Sequence, residues 1–252
     1  MHGHVTVQGK FAEASNFTLL VTCESADARV QAVFKPVAGM RPLHDFDAST
    51  LGRREVAAYE LSQMAGWNCV PITVWREESE FGPGSIQRFV DNGESGDFVD
   101  VVAADVSHAG TRVAFAGEDE HGNPVHLVHQ DDTRLRKLAL FDALTNNADR
   151  KAGHILADGN TVVGIDNGLT FHHEAKLRTV LWGWAGEKLT MDESALLENT
   201  ARALDAKPPW LVESGLTMRE VDALFGRLAA LQATQLMPVP DPRRRCIPWP
   251  VF

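Results

Sequence analysis

The chain has 252 residues, of which 44% are hydrophobic and 23% are charged. This composition predicts a folded globular protein with a large core and excludes a disordered chain. The 24 Lys and Arg residues face 34 Asp and Glu residues, which gives a formal net charge of -10. Such a charge opposes non-specific binding to nucleic acid, so nucleic acid is not an expected partner.

The cysteines and the apolar segments indicate the compartment. Cys23, Cys69 and Cys246 lie far apart in the chain, a spacing that predicts neither a zinc knuckle nor a disulfide framework. No stretch approaches the roughly 20 apolar residues of a membrane span, and the N-terminus lacks a basic region followed by an apolar run. We therefore expect a cytoplasmic protein with no membrane span, for which peripheral contact with lipid stays open.

Strands dominate the predictions for the first part of the chain. The runs on either side of Glu24 to Asp27 alternate or are rich in β-branched residues, which predicts a hairpin. A candidate cap at Thr50 precedes a good helix sequence that stops near Gly66. The predicted elements are a hairpin (17–23 and 28–35), a helix (53–64) and two strands (70–75 and 85–90).

Helices dominate the predictions for the rest of the chain. Residues 91–123 are rich in Gly, Asp and Ala, and they predict mostly loop with a short helix around 99–104. Asp158-Gly159 is typical of a hairpin turn, and Thr217 with Glu220 predicts a capping box. The predicted elements are a helix (131–144), a hairpin (155–157 and 161–166) and three helices (175–184, 193–206 and 217–235).

The change from strands to helices along the chain predicts an α+β protein. We expect a β-rich N-lobe over residues 1–90 and a mainly helical C-lobe over residues 91–252.

Four charged residues follow the order that phosphoryl transfer from ATP requires. That reaction needs a lysine on the phosphates, an acid to place the lysine, a carboxylate on a metal ion and a carboxylate facing the nucleophile. Lys35 ends a predicted strand and Glu55 follows near the start of the next helix, so the two can form an ion pair. Asp149 lies in a polar loop after a helix, and Asp166 closes a strand before Asn-Gly.

Each of these residues also has a commonplace interpretation. Taken alone, Lys35 and Glu55 are typical solvated side chains, Asp149 is a typical cap and Asp166 is a typical turn former. Their order on strand, helix, helix-loop and hairpin end favours the functional interpretation. A second group of residues has the side-chain types that bind metals. The alternative interpretation is that its histidines lie on the surface of a strand. The group consists of His121, His126, His129, Asp131 and Asp132.

Six sequence blocks around these residues carry a resemblance to a known family. Together they resemble the phosphatidylinositol 3-/4-kinase superfamily, most closely its type II 4-kinase branch. The whole chain also resembles a mostly actinobacterial family of phosphatidylinositol 3-/4-kinase-like proteins, distantly related to those kinases. The motifs cover roughly residues 16–171, and the blocks are 32–36, 54–59, 70–73, 84–90, 147–156 and 164–169.

The resemblance implies a two-lobed, protein-kinase-like fold that uses ATP with Mg²⁺ or Mn²⁺. The superfamily implies a hydroxyl of an inositol lipid as the acceptor, whereas the acidic charge, the lack of a membrane anchor and the resemblance to a bacterial family favour a hydroxyl of a protein or a soluble metabolite at least equally. The implied catalytic residues are Lys35, Glu55 and Asp149. Lys151, which stands where the family carries histidine, is a further catalytic candidate, since its positive charge can act as a clamp on the phosphoryl group. The implied nucleotide-binding residues are Ser15, Asn16, Lys35, Gln87, Arg88, Phe89 and Val90. The implied metal ligands are Asp166 and His154.

The metal loop departs from the family pattern. The lipid kinases carry Asp-Arg-His and close the loop with an asparagine ligand, whereas this chain has Asp149-Arg150-Lys151 and closes with His154. Mg²⁺ prefers oxygen ligands, while imidazole suits Mn²⁺ and other transition metals. This departure leaves two alternatives open: a pseudokinase that binds ATP without turnover, and a binding protein that keeps only the fold.

Overall fold

A computed structural model describes residues 3–11, 16–91, 98–106 and 109–252. The chain is an α+β protein with strands concentrated in its first part and helices in its second. The strands are β1 (His4–Lys10), β2 (Leu19–Glu24), β3 (Arg29–Pro36), β4 (Thr73–Arg76), β5 (Gly84–Arg88), β6 (Val99–Ala103), β7 (Thr111–Glu118), β8 (Pro124–Gln130), β9 (Ile155–Asp158) and β10 (Thr161–Gly164). The helices are α1 (Leu51–Met64), α2 (Thr133–Thr145), α3 (Met191–Asp205), α4 (Trp210–Glu213) and α5 (Met218–Thr234).

The first sheet is antiparallel, has the order β1-β2-β3-β5-β4, and confirms the predicted β2–β3 hairpin. Along β3, Ala32 and Phe34 are buried in the core of the sheet with Ile86 of β5. Because successive side chains of a strand point to opposite faces, Lys35 projects from the other face. That face is where α1 packs against β4 and β5.

The second sheet corrects the prediction for residues 91–123. Val99–Ala103, predicted as a short helix, is strand β6, and β7 lies in the predicted loop. Both pair antiparallel with β8, for example Val99 with His129 and Val101 with Leu127. The partner of these segments comes later in the chain, so the local sequence without periodicity gave no sign of the pairing.

The long helices surround the main core. Asp132 caps α2 by accepting a hydrogen bond from the backbone N–H of Arg134, and Asn146 ends the helix in the left-handed conformation with φ 58°. The predicted capping box of α5 is confirmed, and α3 begins with another, formed by Thr190 and Glu193. The buried faces of α1, α2, α3 and α5 meet in one apolar cluster.

Residues 175–184, predicted as a helix, form an extended segment instead. The backbone of this segment bonds to other parts of the chain: Arg150 N–H donates to the carbonyl of Arg178, and Thr179 N–H donates to that of Cys246. Trp182 and Trp184 are buried. Pairing with distant backbone groups and burial on both sides outweigh the local helical spacing. Strand β1 and helix α4 were not predicted.

Across the described residues, no helix is both long enough and apolar enough to cross a bilayer.

His129 is a buried structural group, so the prediction of a surface histidine was wrong for it. Its Nδ1 lies 2.9 Å from the carbonyl oxygen of Gln130 and therefore carries the proton, while its Nε2 accepts a hydrogen bond from Gly183 N–H at 3.0 Å. Burial lowers the pKa of His129, so the folded protein holds the neutral ring.

This burial predicts a loss of stability in acid. As the pH falls through about 6.5, the ordinary pKa of histidine, His129 becomes protonated in the unfolded chain but stays neutral in the folded chain. The free energy of unfolding therefore decreases. The His129→Gln variant, which keeps one donor and one acceptor, is expected to show a smaller fall in melting temperature than the parent between pH 7 and pH 5. His121→Gln, at an exposed turn, is the matched control; equal pH dependence of the parent and His129→Gln would contradict the assignment.

Candidate active site

Lys35, Glu55 and Asp166 come together although up to 131 positions separate them in the chain. The Nζ of Lys35 donates to Oε1 of Glu55 at 2.5 Å and to Oδ1 of Asp166 at 2.8 Å. Glu55 is buried, with 3% of its side chain exposed, whereas Asp166 has 44% exposed. One ammonium therefore bridges a buried positioning carboxylate and a carboxylate that opens to solvent.

The charges of this cluster shift each other's pKa values. Burial alone would lower the pKa of Lys35, but the charges of Asp166 and Glu55 outweigh it and raise that pKa. The charge of Lys35 holds the pKa of Asp166 well below its usual range. Burial, together with the charge of Asp166, raises the pKa of Glu55 more than Lys35 lowers it. Lys35 is thus a permanent cation, and Asp166 is a permanent anion, at neutral pH.

Backbone geometry directs Asp166 into this cluster. Asp166 follows β10 in the left-handed conformation with φ 57°, which turns the chain sharply into the short 3₁₀ turn at Asn167–Leu169. The backbone N–H of Asn167 donates to Oε2 of Glu55 at 3.3 Å, and the turn packs against α1. The same glutamate therefore positions both the lysine and the turn that carries Asp166.

Asp149 lies in the loop between α2 and β9, where the Oδ1 of Asn147 accepts its backbone N–H at 2.9 Å. The Nζ of Lys151 lies 3.4 Å from Oδ2 of Asp149. Burial raises the pKa of Asp149, opposed by the charge of Lys151 and supported by that of Asp166. A carboxylate of raised basicity next to a cation has the character of a proton acceptor.

His154 is held as a neutral ring that faces Asp166. Its Nδ1 lies 3.0 Å from the carbonyl oxygen of Asp149, so Nδ1 carries the proton, and Nε2 lies 3.4 Å from Oδ2 of Asp166. Burial lowers the pKa of His154 to about 4. The contact between the two side chains is therefore not an ion pair at neutral pH, because the imidazole is uncharged.

The lone pair of His154 Nε2 and a lone pair of Asp166 Oδ2 face each other with no proton between them. Such an arrangement suits a cation bound to both atoms. Ligand atoms about 2.1 Å from one metal ion lie about 3 Å apart, close to the 3.4 Å between His154 Nε2 and Asp166 Oδ2. A backbone carbonyl on Nδ1–H is also the usual support for an imidazole that ligates through Nε2. His154 and Asp166 fit a two-ligand site, since a metal bound with nucleotide takes its other ligands from phosphate and water.

Within the described ranges, no three His, Cys, Asp or Glu side chains surround a common metal position. The alternative site around His129 is therefore not formed there. Both ring nitrogens of His129 are occupied, and Arg112 and Arg134 bind Asp131 and Asp132 respectively.

Sequence reasoning missed the buried ion pair that supports the site. Arg150 and Asp142 have no exposed side-chain surface, and the guanidinium donates bidentately to the carboxylate at 2.9 Å from both Nε and Nη2. Arg150 also donates to the carbonyl of Ile165 at 2.6 Å and to Oδ1 of Asn167 at 2.7 Å. The detectable signal was Asp142, a charged residue between Phe141 and Leu144 on the apolar face of a helix.

Two of the residues implied for adenine binding, Gln87 and Arg88, are the last two of β5, and Phe89 and Val90 directly follow the strand. The backbone N–H of Arg88 donates to Ile72 and that of Phe89 donates to Gln31, so neither group is available to a ligand. The side chain of Gln87 is buried against Thr73. The N–H of Val90 makes no hydrogen bond within the described part of the chain, so that donor is free.

The implied phosphate-covering turn is described only in part. Ser15 lies outside the described residues. The Oδ1 of Asn16 accepts the backbone N–H of Arg41 at 2.9 Å, and Phe17 N–H donates to the carbonyl of Gly39. These contacts join Asn16 to the loop after β3.

We expect the pair of Asp142 and Arg150 to be a large single contributor to stability. Asp142→Ala leaves the guanidinium buried without its charge partner, which costs about 3 kcal/mol or more of the free energy of unfolding. Urea unfolding measures this loss. Glu24→Ala, which breaks an exposed ion pair with Arg29, is the control and is expected to cost less than about 1 kcal/mol. Equal costs for the two variants would contradict the assigned role.

The comparisons with known proteins identify one full-length relative. The chain is 40% identical to Protein Rv2133c of Mycobacterium tuberculosis over an alignment of 264 positions. The match spans 99% of this chain and 93% of that protein. No family model matches the chain. With this identity over nearly the whole of both proteins, the chain belongs to the same family as Protein Rv2133c.

Proposed function

We propose that the protein is an ATP-dependent phosphotransferase with a two-lobed, protein-kinase-like fold related to the phosphatidylinositol 3-/4-kinases. The N-lobe corresponds to residues 1–90 and the C-lobe to residues 91–252. The observation that carries the proposal is the Lys35 ammonium, bonded at once to Glu55 on α1 and to Asp166 after β10. Phosphoryl-transfer enzymes need this combination of a fixed cation and a metal-binding carboxylate.

In this proposal each charged group has one task. Lys35 contacts the phosphates of ATP, and Glu55 keeps Lys35 in place. Asp166 and His154 would hold a divalent metal ion, which would neutralise charge on the phosphates. Lys151, 3.4 Å from Asp149, offers a second positive charge to the transferring group.

Asp149 receives the proton of the acceptor. The hydroxyl oxygen of the acceptor forms a bond to the γ-phosphorus while the bond from that phosphorus to the bridging oxygen breaks. ADP leaves with the electron pair of the broken bond, and the hydroxyl proton passes to the carboxylate of Asp149. The raised pKa of Asp149 supports this role. A protein, a soluble metabolite or an inositol lipid supplies the hydroxyl.

His154 favours a second candidate, a pseudokinase that binds nucleotide without turnover. A neutral, half-buried imidazole stands where the lipid kinases that the chain resembles carry an asparagine oxygen, and it is a poor partner for Mg²⁺. Such a protein would be stabilised by nucleotide and metal but would form no ADP with any divalent cation.

We expect the purified chain with ATP and Mn²⁺ or Mg²⁺ to form ADP, or to gain the mass of a phosphate. Asp149→Ala is expected to lower the rate about 100-fold or more because it removes the proton acceptor, and Asp166→Ala is expected to abolish turnover. Glu198→Gln, at an exposed position of α3, controls for an unspecific loss of charge.

Turnover that persists in Asp166→Ala would contradict the phosphotransferase proposal. Nucleotide-dependent stabilisation of the parent without product, with both metals and with protein, lipid and metabolite acceptors offered, would establish the pseudokinase instead.

The metal preference is expected to depend on His154. His154→Asn replaces a nitrogen ligand by an oxygen ligand and should raise the ratio of Mg²⁺-supported to Mn²⁺-supported activity about tenfold or more. The same ratio is measured for His121→Asn, an exposed histidine outside the site. An unchanged ratio in His154→Asn would show that His154 does not ligate the metal.

A further inference from the structure

A cavity lies away from the candidate active site, between α5, the extended segment after His173 and the chain beyond Pro238. Its volume is about 510 Å³, within the range of small-molecule sites in proteins. Its walls are largely apolar and include the buried side chains of Trp182 and Leu231. None of the proposed catalytic or metal-binding residues lines this C-terminal cavity.

The charged groups around the C-terminal cavity have the opposite sign to the protein as a whole. Asp241 is the carboxylate that lines it, against four cations: Lys176, Arg227, Arg244 and Arg245. The chain carries a net charge of -10, so a group of positive charges at one cavity differs in sign from the protein as a whole. Such an arrangement complements an anion.

Two of the four cations already have acidic partners. Lys176 forms an ion pair with Asp45 at 2.8 Å, and Arg244 lies 3.6 Å from Asp241. Arg245 is exposed and has no ion pair or hydrogen bond with the rest of the described chain.

Arg227 is a half-buried cation at the C-terminal cavity. Its Nε donates to the carbonyl of Leu144 at 2.8 Å and its Nη1 to that of His172 at 3.2 Å. Its Nη2 is buried without a partner, and no carboxylate of the described residues lies within ion-pair distance. Burial lowers the pKa of Arg227 to about 10, which still leaves it charged at neutral pH. A buried charge of this kind is costly unless an anion pairs with it.

We propose that the C-terminal cavity binds a small anionic amphiphile. The apolar chain or ring of the ligand would occupy the space beside Trp182 and Leu231. Its carboxylate or phosphate group would pair with the exposed guanidinium of Arg245, and the positive charge of Arg227 nearby would attract it further. The apolar walls favour burial of hydrocarbon, and the two guanidinium groups without acidic partners select an acidic head. This binding does not depend on the proposed phosphotransferase activity.

Gly226 allows the cavity to be filled without disturbing the fold. It lines the cavity from helix α5, and a Cβ added there would meet no atom within 4 Å. Since glycine is a poor residue for a helix interior, a larger side chain at this position also favours the helix. Gly226→Trp is therefore expected to block the cavity while the melting temperature stays the same or rises.

Calorimetric titration of the full chain with decanoate, decyl phosphate and decanol tests the proposal. These probes share one apolar chain and differ in the head group, so the first two separate a carboxylate from a phosphate ligand and the third removes the charge. We expect one site that binds at least one of the two anions about tenfold or more tightly than decanol. Arg245→Gln should weaken anion binding several-fold without changing decanol binding, and Gly226→Trp should abolish binding of both anions.

Three results would overturn the proposal. Failure of both anions to bind would show that the cavity is not a ligand site for this class. Equal binding of decanol would show an apolar site without selection by the guanidinium groups. Undiminished anion binding in Gly226→Trp, at an unchanged melting temperature, would place the bound molecule elsewhere on the protein.

Discussion

The buried ion pair between Arg150 and Asp142 is the constraint on which the site depends. Two fully buried opposite charges are unfavourable unless every polar atom around them is satisfied. Here the guanidinium uses its remaining donors on the carbonyl of Ile165 and the side chain of Asn167. The loop after α2 and the turn after β10 are therefore fixed to one group. Asp149 and Asp166, each next to one of these anchor points, take their relative positions from it.

Close packing reinforces this constraint. A Cβ at Gly164 would lie 2.6 Å from Nη2 of Arg150, so the end of β10 has room for the guanidinium only because residue 164 is glycine. The backbone of Arg150 also pairs with the extended segment after Lys176, through Arg178 and Val180. A single residue thus joins the loop, the hairpin and the segment that leads towards the C-terminal cavity.

The electrostatics of the candidate active site follow from the unequal exposure of its two similar carboxylates, Glu55 and Asp166. Glu55 is buried and serves Lys35 and the backbone of Asn167, whereas Asp166 keeps its second oxygen open to solvent beside His154. A neutral imidazole beside a permanent carboxylate leaves net negative charge where a divalent cation would bind. The same feature separates the two candidate functions, because an imidazole ligand and an oxygen ligand select different metals.

The sequence by itself determined the elements whose signals are local. The β2–β3 hairpin, the helices α1, α2, α3 and α5, and the turn at Asp158-Gly159 follow from alternation, periodicity and capping residues. The order of Lys35, Glu55, Asp149 and Asp166 also predicted a shared site, and the structure bonds Lys35 to both Glu55 and Asp166.

Only the tertiary structure decided what depends on distant partners. Strands β6 and β7 form by pairing with β8. The segment 175–184 forms no helix despite its helical spacing, because its backbone bonds to Arg150 and Cys246. The burial of Arg150 and Asp142, the tautomer of His154 and the approach of Arg227 to the arginines near the C-terminus are likewise invisible in the local sequence. Each of them arises when groups far apart in the chain leave water together, and residue order carries no measure of that burial.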